Sequence, residues 1–370
     1  MPPGFRGLAY LFNRGDPTPR GPFFRTIAVK AERWRRRDRW RRSLKKHLSS
    51  VDRVPLDRPI FVLGMQGGGT TLVARCLLRH PSVVSMSGAS DYWVATDELG
   101  FVRNRMRRLP PTLWSSAHRD DLDHPLVGTE HASVYASDLL LPEYRNTAED
   151  ATPADGARFQ RLLKEHVAVY AHDPRTARFL DKTHTYTIKI PYLDRLLEGH
   201  DPFYLLVTRN PYTMCFRAVR RKPPAWRPDV PYEDQLRLVA QHWSNSTRLA
   251  LEDGPPTGRF LALRFEDFLQ NPEGVIRAVC TAAGLSYDND LVPRAGHRMP
   301  FATLPWDRKW FPLQGDEWRD KVGDVEAQIV QEECGQVAEQ LGYGRLTDTA
   351  PIHPAVLSLA GLPAAAQLVA

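Results

Sequence analysis

A glycine-rich loop between an apolar run and a helix-forming run constrains the fold of this chain more than any other feature. Residues 64–71 read GMQGGGTT, and the apolar residues 59–63 come directly before them. A short apolar run that ends in glycines is typical of a buried parallel strand. Residues 70–79 predict a helix, which His80 and Pro81 would end. This order of strand, loop and helix favours an α/β fold.

The glycines of this loop predict an anion site. Gly67, Gly68 and Gly69 have no Cβ, so the backbone can approach a phosphate closely. The free N–H groups of the following helix would point at the anion, and the hydroxyls of Thr70 and Thr71 can add donors. Thr70 stands where a nucleoside-triphosphate enzyme has its lysine. The loop therefore favours a single phosphate group over triphosphate hydrolysis, which needs that lysine.

Further apolar runs predict a parallel sheet with helices on both faces. Residues 203–208 and 260–265 each predict a strand that is followed by a helical segment. This alternation predicts a three-layer α/β/α domain with a central parallel sheet. Residues 157–172 and 324–341 predict two more helices.

The chain divides into an extension, one domain and a tail. We predict a basic N-terminal extension over residues 1–54, the α/β domain over residues 55–345, and a loosely held C-terminal tail over residues 346–370. Within the domain, residues 86–176 mix helix signals with Pro- and Asp-rich stretches. Such an irregular section suits substrate-binding loops on a rigid scaffold.

The basic segment at residues 30–48 predicts an amphipathic helix. Arg and Lys outnumber Glu and Asp there by 10 to 2, and Trp34, Trp40, Leu44 and Leu48 form an uneven apolar stripe. We favour a solvated helix that packs on the domain through its tryptophans, with contact to a membrane or another acidic surface as the alternative. The net charge of +7 also favours acidic partners, of which nucleic acid is the usual one, but the charge is not spread evenly and much of it lies in this segment.

Composition and cysteine spacing narrow the class of protein further. With 42% hydrophobic residues among 370, the chain can bury a large core. No run approaches the roughly 18 apolar residues of a membrane-spanning helix, and residues 1–10 lack a secretory pattern. The cysteines are scattered, without the spacing of metal ligands: Cys76, Cys215, Cys280 and Cys334. We therefore expect a soluble, cytoplasmic, metal-free protein with buried free thiols.

A candidate reaction centre lies at residues 179–184, which read FLDKTH. In an extended chain Lys182 and His184 lie on the same side. A histidine titrates near neutral pH and can accept a hydroxyl proton, and a neighbouring lysine can hold developing negative charge. Histidines are otherwise surface residues or hydrogen-bonded core residues, so this interpretation depends on the motifs around it.

A second cationic site is predicted at Arg209. The segment at residues 203–211 reads FYLLVTRNP and places Arg209 just past the carboxyl end of a buried strand. Ligands of open α/β sheets bind at this edge, and an arginine fork can make two parallel hydrogen bonds to a phosphate. A surface ion pair is the alternative interpretation of Arg209.

These motifs, in this order, resemble the sulfotransferases that use 3′-phosphoadenosine 5′-phosphosulfate (PAPS). Residues 59–72 are similar to the family segment that binds the 5′-phosphosulfate, although Gly67 and Gly68 replace the usual basic residue and serine. The resemblance implies that His184 is the base and that Lys182 touches the transferred group, in place of the missing loop cation. Some members of the family use a carboxylate base, for which Asp91 is the nearest match, ahead of Asp97 and Glu98.

The resemblance also implies roles around the nucleotide. Arg209 matches the arginine that binds the 3′-phosphate of PAPS, and Arg217 replaces a phosphate-binding serine eight positions later. Phe265, in the run LRFEDFLQNP, matches an aromatic residue beside the adenine. More weakly, Arg308 and Lys309 match a late basic element that closes over the 3′-phosphate.

The activity that the resemblance implies is the transfer of a sulfuryl group from PAPS, as co-substrate, to a hydroxyl or amine. Carbohydrate, lipid, peptide and small-metabolite acceptors all stay open, and neither a metal nor a nucleic acid is implied. Two alternatives remain: a non-catalytic protein that binds PAPS or its product, and, less favoured because the loop lysine is missing, a nucleotide kinase.

Overall fold

The computed structural model describes residues 44–86, 98–101, 103–116, 122–124, 126–128, 131–220, 230–292 and 322–343. Within these ranges the centre of the protein is a five-stranded, fully parallel sheet with the strand order β2-β3-β1-β4-β5. The strands are β1 Ile60–Leu63, β2 Val83–Val84, β3 Arg178–Asp181, β4 Phe203–Thr208 and β5 Phe260–Arg264. The predicted central parallel sheet is confirmed.

Helices connect and cover the strands. After residue 54, the α-helices in the described ranges are α1 Thr70–Leu77, α2 Arg103–Met106, α3 Leu141–Tyr144, α4 Pro153–Tyr170, α5 Ile190–Leu196, α6 Pro211–Arg220, α7 Tyr232–Asp253, α8 Phe265–Gln270, α9 Pro272–Ala283 and α10 Asp324–Gln340. Short 3-10 helices lie at Val51–Arg53, Pro111–Leu113, Ala148–Asp150, His184–Ile188, Pro255–Thr257 and Asn289–Leu291.

The alternation of side chains along β1 builds the three layers. Phe61 and Leu63 point to one face of the sheet, where they join a core that contains Phe159 of α4. Ile60 and Val62 point to the other face and pack with residues of α1 and α9. Because both faces are covered, all four residues of β1 are buried, as expected for an interior parallel strand.

Strand register brings four chain segments to one edge of the sheet. β1 pairs with β3 and β4, and β4 pairs with β5, so the carboxyl ends of these strands lie side by side. The residues that follow directly are Gly64 after β1, Lys182 after β3, Arg209 after β4 and Phe265 after β5. The predicted site residues from distant parts of the sequence therefore share this edge, as the rule for open α/β sheets expects.

Several predicted element ends are corrected. The helix predicted over residues 157–172 begins earlier, at Pro153, because the Thr152 side chain caps it by accepting the N–H of Asp155. The strand predicted to include Phe265 ends at Arg264, and Phe265 instead opens α8. The helix that starts at Thr70 ends at Leu77, two residues before the predicted end.

Some predictions lie outside the described residues. Asp91, Arg308 and Lys309 are among these, as is most of the basic segment at residues 30–48. The division into extension, domain and tail stays a prediction. The four cysteines are all buried and free, as predicted. None of the helices in the described ranges is long and apolar enough to cross a membrane.

Candidate active site

The loop at residues 64–69 joins β1 to α1 at the carboxyl edge of the sheet. The backbone N–H of Gly68 closes its turn by donating to the carbonyl of Met65 at 3.1 Å. Gly69 has a φ of 96°, and a Cβ there would lie 2.1 Å from Cδ2 of Phe265. Only glycine fits this position, because a side chain would meet both backbone strain and the Phe265 ring. The loop therefore places backbone N–H groups without covering side chains next to the N-terminus of α1, and an anion site needs this arrangement.

Arg209 contacts this loop directly. Its Nη1 donates to the carbonyl of Gly67 at 3.1 Å, and its Cζ lies 5.2 Å from the centroid of the Phe265 ring. Arg209 is only 7% exposed. Gly67 has a φ of 88°, and no described heavy atom lies within 4 Å of the position a Cβ would take there. The residues of the two predicted phosphate sites are therefore neighbours, and no described residue fills the space beside Gly67.

His184 contacts the other end of the same loop. Its Nδ1 lies 2.8 Å from the carbonyl oxygen of Gly64. A carbonyl oxygen only accepts, so this partner assigns the ring hydrogen to Nδ1 and leaves the lone pair on Nε2. Nζ of Lys182 lies 3.2 Å from Nε2 and donates to it. Burial and the Lys182 charge lower the pKa of His184 well below its usual value, so the ring is neutral.

Glu98 completes a buried group of three ionisable side chains. Lys182 Nζ donates to Glu98 Oε1 at 2.5 Å, and the same oxygen lies 3.7 Å from Nε2 of His184. The side chains of Lys182 and Glu98 are 1% and 8% exposed. Burial raises the pKa of Glu98, while the Lys182 charge opposes that rise. Lys182 therefore holds its ammonium between a carboxylate and an imidazole, shielded from water.

Asp181 ties the two segments of this group together. Its Oδ1 accepts the N–H of Leu99, the neighbour of Glu98, at 3.1 Å. Its Oδ2 accepts both the N–H of Thr183 at 3.1 Å and the Thr183 hydroxyl at 2.6 Å. Burial raises the pKa of Asp181 from its usual 3.8 to about 6, although these hydrogen bonds favour the ionised form. The buried Asp181 carboxylate thus fixes the position of Glu98 relative to Lys182 and His184.

Comparison with protein-family models matches residues 59–289 to the sulfotransferase family, well over half of the chain. The chain belongs to this family. The matched range begins one residue before β1 and ends in the 3-10 helix Asn289–Leu291, so it contains the loop, Lys182, His184 and Arg209. α10 follows the matched range.

Solved structures of other sulfotransferases are similar to this sulfotransferase at low sequence identity. Sulfotransferase STF9 from Mycobacterium avium is 15% identical, with 77% of this chain and 78% of that chain covered and a TM-score of 0.47. The sulfotransferase domain from the curacin biosynthetic pathway is 16% identical, with 78% and 99% covered and a TM-score of 0.43. The sulfotransferase domain of the Synechococcus PCC 7002 olefin synthase is 17% identical, with 83% and 96% covered and a TM-score of 0.37. No curated protein matches the chain.

Of the other predicted nucleotide-binding residues of the sulfotransferase, the structure describes Thr70, Thr71 and Arg217. Thr70 and Thr71 are the first two residues of α1, and Thr70 is buried. Arg217 lies on α6, about two turns after Arg209, and is half-buried. Their phosphate contacts stay predictions. Nowhere in the described ranges do three or more His, Cys, Asp or Glu side chains form a group that could hold a metal.

Glu98 is the predicted candidate carboxylate that the structure describes, whereas Asp91, which was ranked ahead of it, lies outside the described residues. Among the described acids, Glu98 contacts both Lys182 and His184. Glu98 lies 84 positions from Lys182, in a segment with several acids and no regular pattern. The hydrogen bond from Leu99 to Asp181 brings it into place, and no local signal contains that contact.

Proposed function

We propose that this sulfotransferase transfers the sulfuryl group of PAPS to a hydroxyl or amine of an acceptor. One observation carries the proposal. The glycine loop contacts two residues with different proposed roles: His184, the proposed base, and Arg209, the residue proposed to bind the 3′-phosphate. The Gly64 carbonyl binds His184, and the Gly67 carbonyl binds Arg209. A nucleotide with a phosphosulfate at its 5′ position and a phosphate at its 3′ position would need both of these residues.

The residues present fit PAPS. Its 5′-phosphosulfate would take the loop amides and the start of α1, with Thr70 and Thr71 as hydroxyl donors. Its 3′-phosphate would take Arg209, whose planar fork suits a phosphate. Among the described residues, none fills the space beside Gly67 that a side chain at this position would occupy. When bound, PAPS supplies an activated sulfuryl group whose sulfur–oxygen bond to the 5′-phosphate breaks in the transfer.

Lys182 supplies the charge that the loop lacks. A basic loop residue is absent because Gly67 and Gly68 occupy those positions. Lys182 follows β3 at the same edge, and its side chain is 1% exposed. A cation in a site shielded from water stabilises developing negative charge more strongly than one in solvent. We assign it to the transferred group and the leaving phosphate oxygen.

His184 accepts the acceptor's proton in this proposal. Its Nδ1–H is held by Gly64, so Nε2 carries the lone pair that a general base needs. Nε2 is occupied by Lys182 in this structure, and it becomes free when Lys182 donates to an anionic substrate group. As the acceptor oxygen or nitrogen bonds to sulfur, its proton passes to Nε2. Glu98, 3.7 Å from Nε2, then stabilises the imidazolium.

Nucleotide binding tests the donor assignment. We expect isothermal titration calorimetry to show that adenosine 3′,5′-bisphosphate binds at least about tenfold more tightly than AMP, the worth of one charge-assisted contact. Equal affinities for the two nucleotides would refute the use of PAPS. Release of the bisphosphate from PAPS, followed over a panel of phenol, sugar, sterol and amine acceptors, tests catalysis.

A non-catalytic nucleotide-binding protein is the second candidate, and Gly67 is the observation that favours it. Without the loop cation, transfer depends on Lys182 alone among the residues assigned here to the sulfuryl group. Tight binding of the bisphosphate with no turnover of any acceptor would support this candidate. Phosphoryl transfer from ATP and magnesium, tested in parallel, would instead indicate the kinase alternative.

A further inference from the structure

The residues around Arg209 are held by side chains from two different helices. The indole Nε1–H of Trp243, on α7, donates to the carbonyl of Arg209 at 3.0 Å. The backbone N–H of Asn210 donates to Oε1 of Glu266, on α8, at 3.0 Å. The backbone on both sides of the Arg209 side chain is therefore held by hydrogen bonds to side chains, in addition to the hydrogen bonds of the sheet. This anchoring limits where the guanidinium can reach.

Tyr343 connects the residues on both sides of Arg209 through one chain of hydrogen bonds. Its hydroxyl lies 3.1 Å from Oε2 of Glu266 and 2.9 Å from Oγ1 of Thr208, the last residue of β4. The Tyr343 hydroxyl donates to Oε2 of Glu266. It can then accept from the Thr208 hydroxyl, whose one hydrogen is shared with the Leu263 carbonyl at 3.3 Å. Tyr343 thus touches the residue before Arg209 directly and the residue after it through Glu266.

The end of α10 places Tyr343 at the sheet edge. Gly342 has a φ of 68°, and the N–H of Tyr343 donates back to the carbonyl of Ala338 at 2.9 Å, the pattern of a glycine-terminated helix. Nη1 of Arg264 then donates to the carbonyl of Gly342 at 3.1 Å. The Tyr343 ring packs against Trp243, with the ring centroids 6.4 Å apart, and the residue is 8% exposed. A buried, doubly bonded hydroxyl has few alternative positions.

We propose that Tyr343 is a positioning residue that sets Arg209 for the 3′-phosphate of the nucleotide. The proposal rests on the proposed function, in which Arg209 reads that phosphate. Tyr343 lies beyond the family-matched residues 59–289, so α10 would be part of the nucleotide site instead of a structural addition. Arg209 contacts Gly67 at 3.1 Å, and a small shift of its backbone would remove that contact.

The test is the affinity ratio between adenosine 3′,5′-bisphosphate and AMP, measured by calorimetry on the full chain. Tyr343→Phe removes the hydroxyl and keeps the ring. We expect it to lower the ratio about fivefold, the effect of one hydrogen bond in the anchoring. AMP affinity stays unchanged, because AMP has no 3′-phosphate to read. A merely structural role would lower both affinities together and leave the ratio as it was.

Tyr204→Phe is the matched control. Tyr204 lies at the other end of the same strand, is fully buried, and its hydroxyl lies 3.4 Å from Oδ1 of Asp194. Its loss should leave the affinity ratio unchanged. Thr208→Val removes the other partner of Tyr343 with little change of shape, and we expect a smaller fall in the same direction. It keeps the test possible if Tyr343→Phe fails to fold.

A double-mutant cycle separates this proposal from the proposed function. In an Arg209→Ala background, Tyr343→Phe should produce no further change in the ratio. An equal fall in both backgrounds shows that Tyr343 acts elsewhere and overturns the positioning role. A wild-type protein that prefers the bisphosphate, with Tyr343→Phe and Thr208→Val both unchanged, overturns the positioning role alone. A wild-type protein with no preference overturns the proposed function as well.

Discussion

The Nδ1 atom of His184 lies 2.8 Å from the carbonyl oxygen of Gly64, the residue that opens the glycine loop. This hydrogen bond makes the histidine part of the loop's own structure. It assigns the tautomer and directs Nε2 toward Lys182 and Glu98. A group that binds the loop would therefore lie next to a histidine whose Nε2 accepts a hydrogen bond from the Lys182 ammonium.

Replacing the two central residues should stop transfer and spare nucleotide binding. We expect His184→Ala and Lys182→Met each to lower the transfer rate about 10²- to 10⁴-fold, the usual contribution of a positioned proton acceptor or charge. The affinity for adenosine 3′,5′-bisphosphate, measured by calorimetry, should change little for His184→Ala, since this product carries no acceptor proton. For Lys182→Met it should fall far less than the transfer rate, because only the contact with the leaving phosphate oxygen is lost. Two fully active variants would mean that the catalytic assignment is wrong.

Removing one partner of the buried Glu98–Lys182 ion pair should lower the free energy of unfolding more than replacing both partners. Glu98→Gln leaves the buried Lys182 ammonium without its counter-charge and should lower the free energy of unfolding by about 3 kcal/mol. The double variant Glu98→Gln, Lys182→Met should regain part of that loss, because no unpaired charge remains. Urea unfolding of the single and double variants measures both.

An exposed ion pair provides the control for that experiment. Arg248 and Glu252 lie one helical turn apart, with side chains 42% and 54% exposed. Glu252→Gln should change the free energy of unfolding little, since solvent screens such pairs. A loss as large as that of Glu98→Gln would show that the effect does not come from burial of Lys182.

Asp181 should make the protein less stable as the pH rises from about 4 to about 6. Its pKa is raised by burial from 3.8 to about 6, so the folded state holds this proton more tightly than the unfolded chain. The stabilisation is present below the unfolded pKa and is lost above the folded one, an effect of about 3 kcal/mol. Asp181→Asn removes the titration. Urea unfolding between pH 4 and pH 7 should therefore give profiles that diverge, and parallel profiles would contradict this expectation.

Gly69→Ala should reveal the contact between the loop and the Phe265 ring. The new Cβ would lie 2.1 Å from Phe265 and would also need a φ of 96°, so we expect a loss of about 3 kcal/mol and weaker nucleotide binding. Gly199→Ala is the control, because Gly199 has a φ of 81° but no described heavy atom within 4 Å of the new Cβ. Equal losses in thermal unfolding would show that the ring contact adds nothing.

Local sequence patterns were sufficient for the elements that depend only on neighbours along the chain. β4 has the predicted bounds, Phe203–Thr208, because a fully buried parallel strand needs an unbroken apolar run. The loop before α1 was recognisable because its glycines accommodate positive φ angles. The motif around Lys182 and His184 placed two ionisable groups close together, and they are 3.2 Å apart.

Contacts between distant segments needed the tertiary structure. Glu98 meets Lys182 across 84 positions and Tyr343 meets Glu266 across 77, and each contact depends on how separate segments meet at the sheet edge. The strand predicted to include Phe265 ended one residue early, where Phe265 turns into α8 with its ring against Gly69. Periodicity describes which side of an element a residue faces. It contains nothing about which other element packs there, because the packing of whole strands and helices sets that partner.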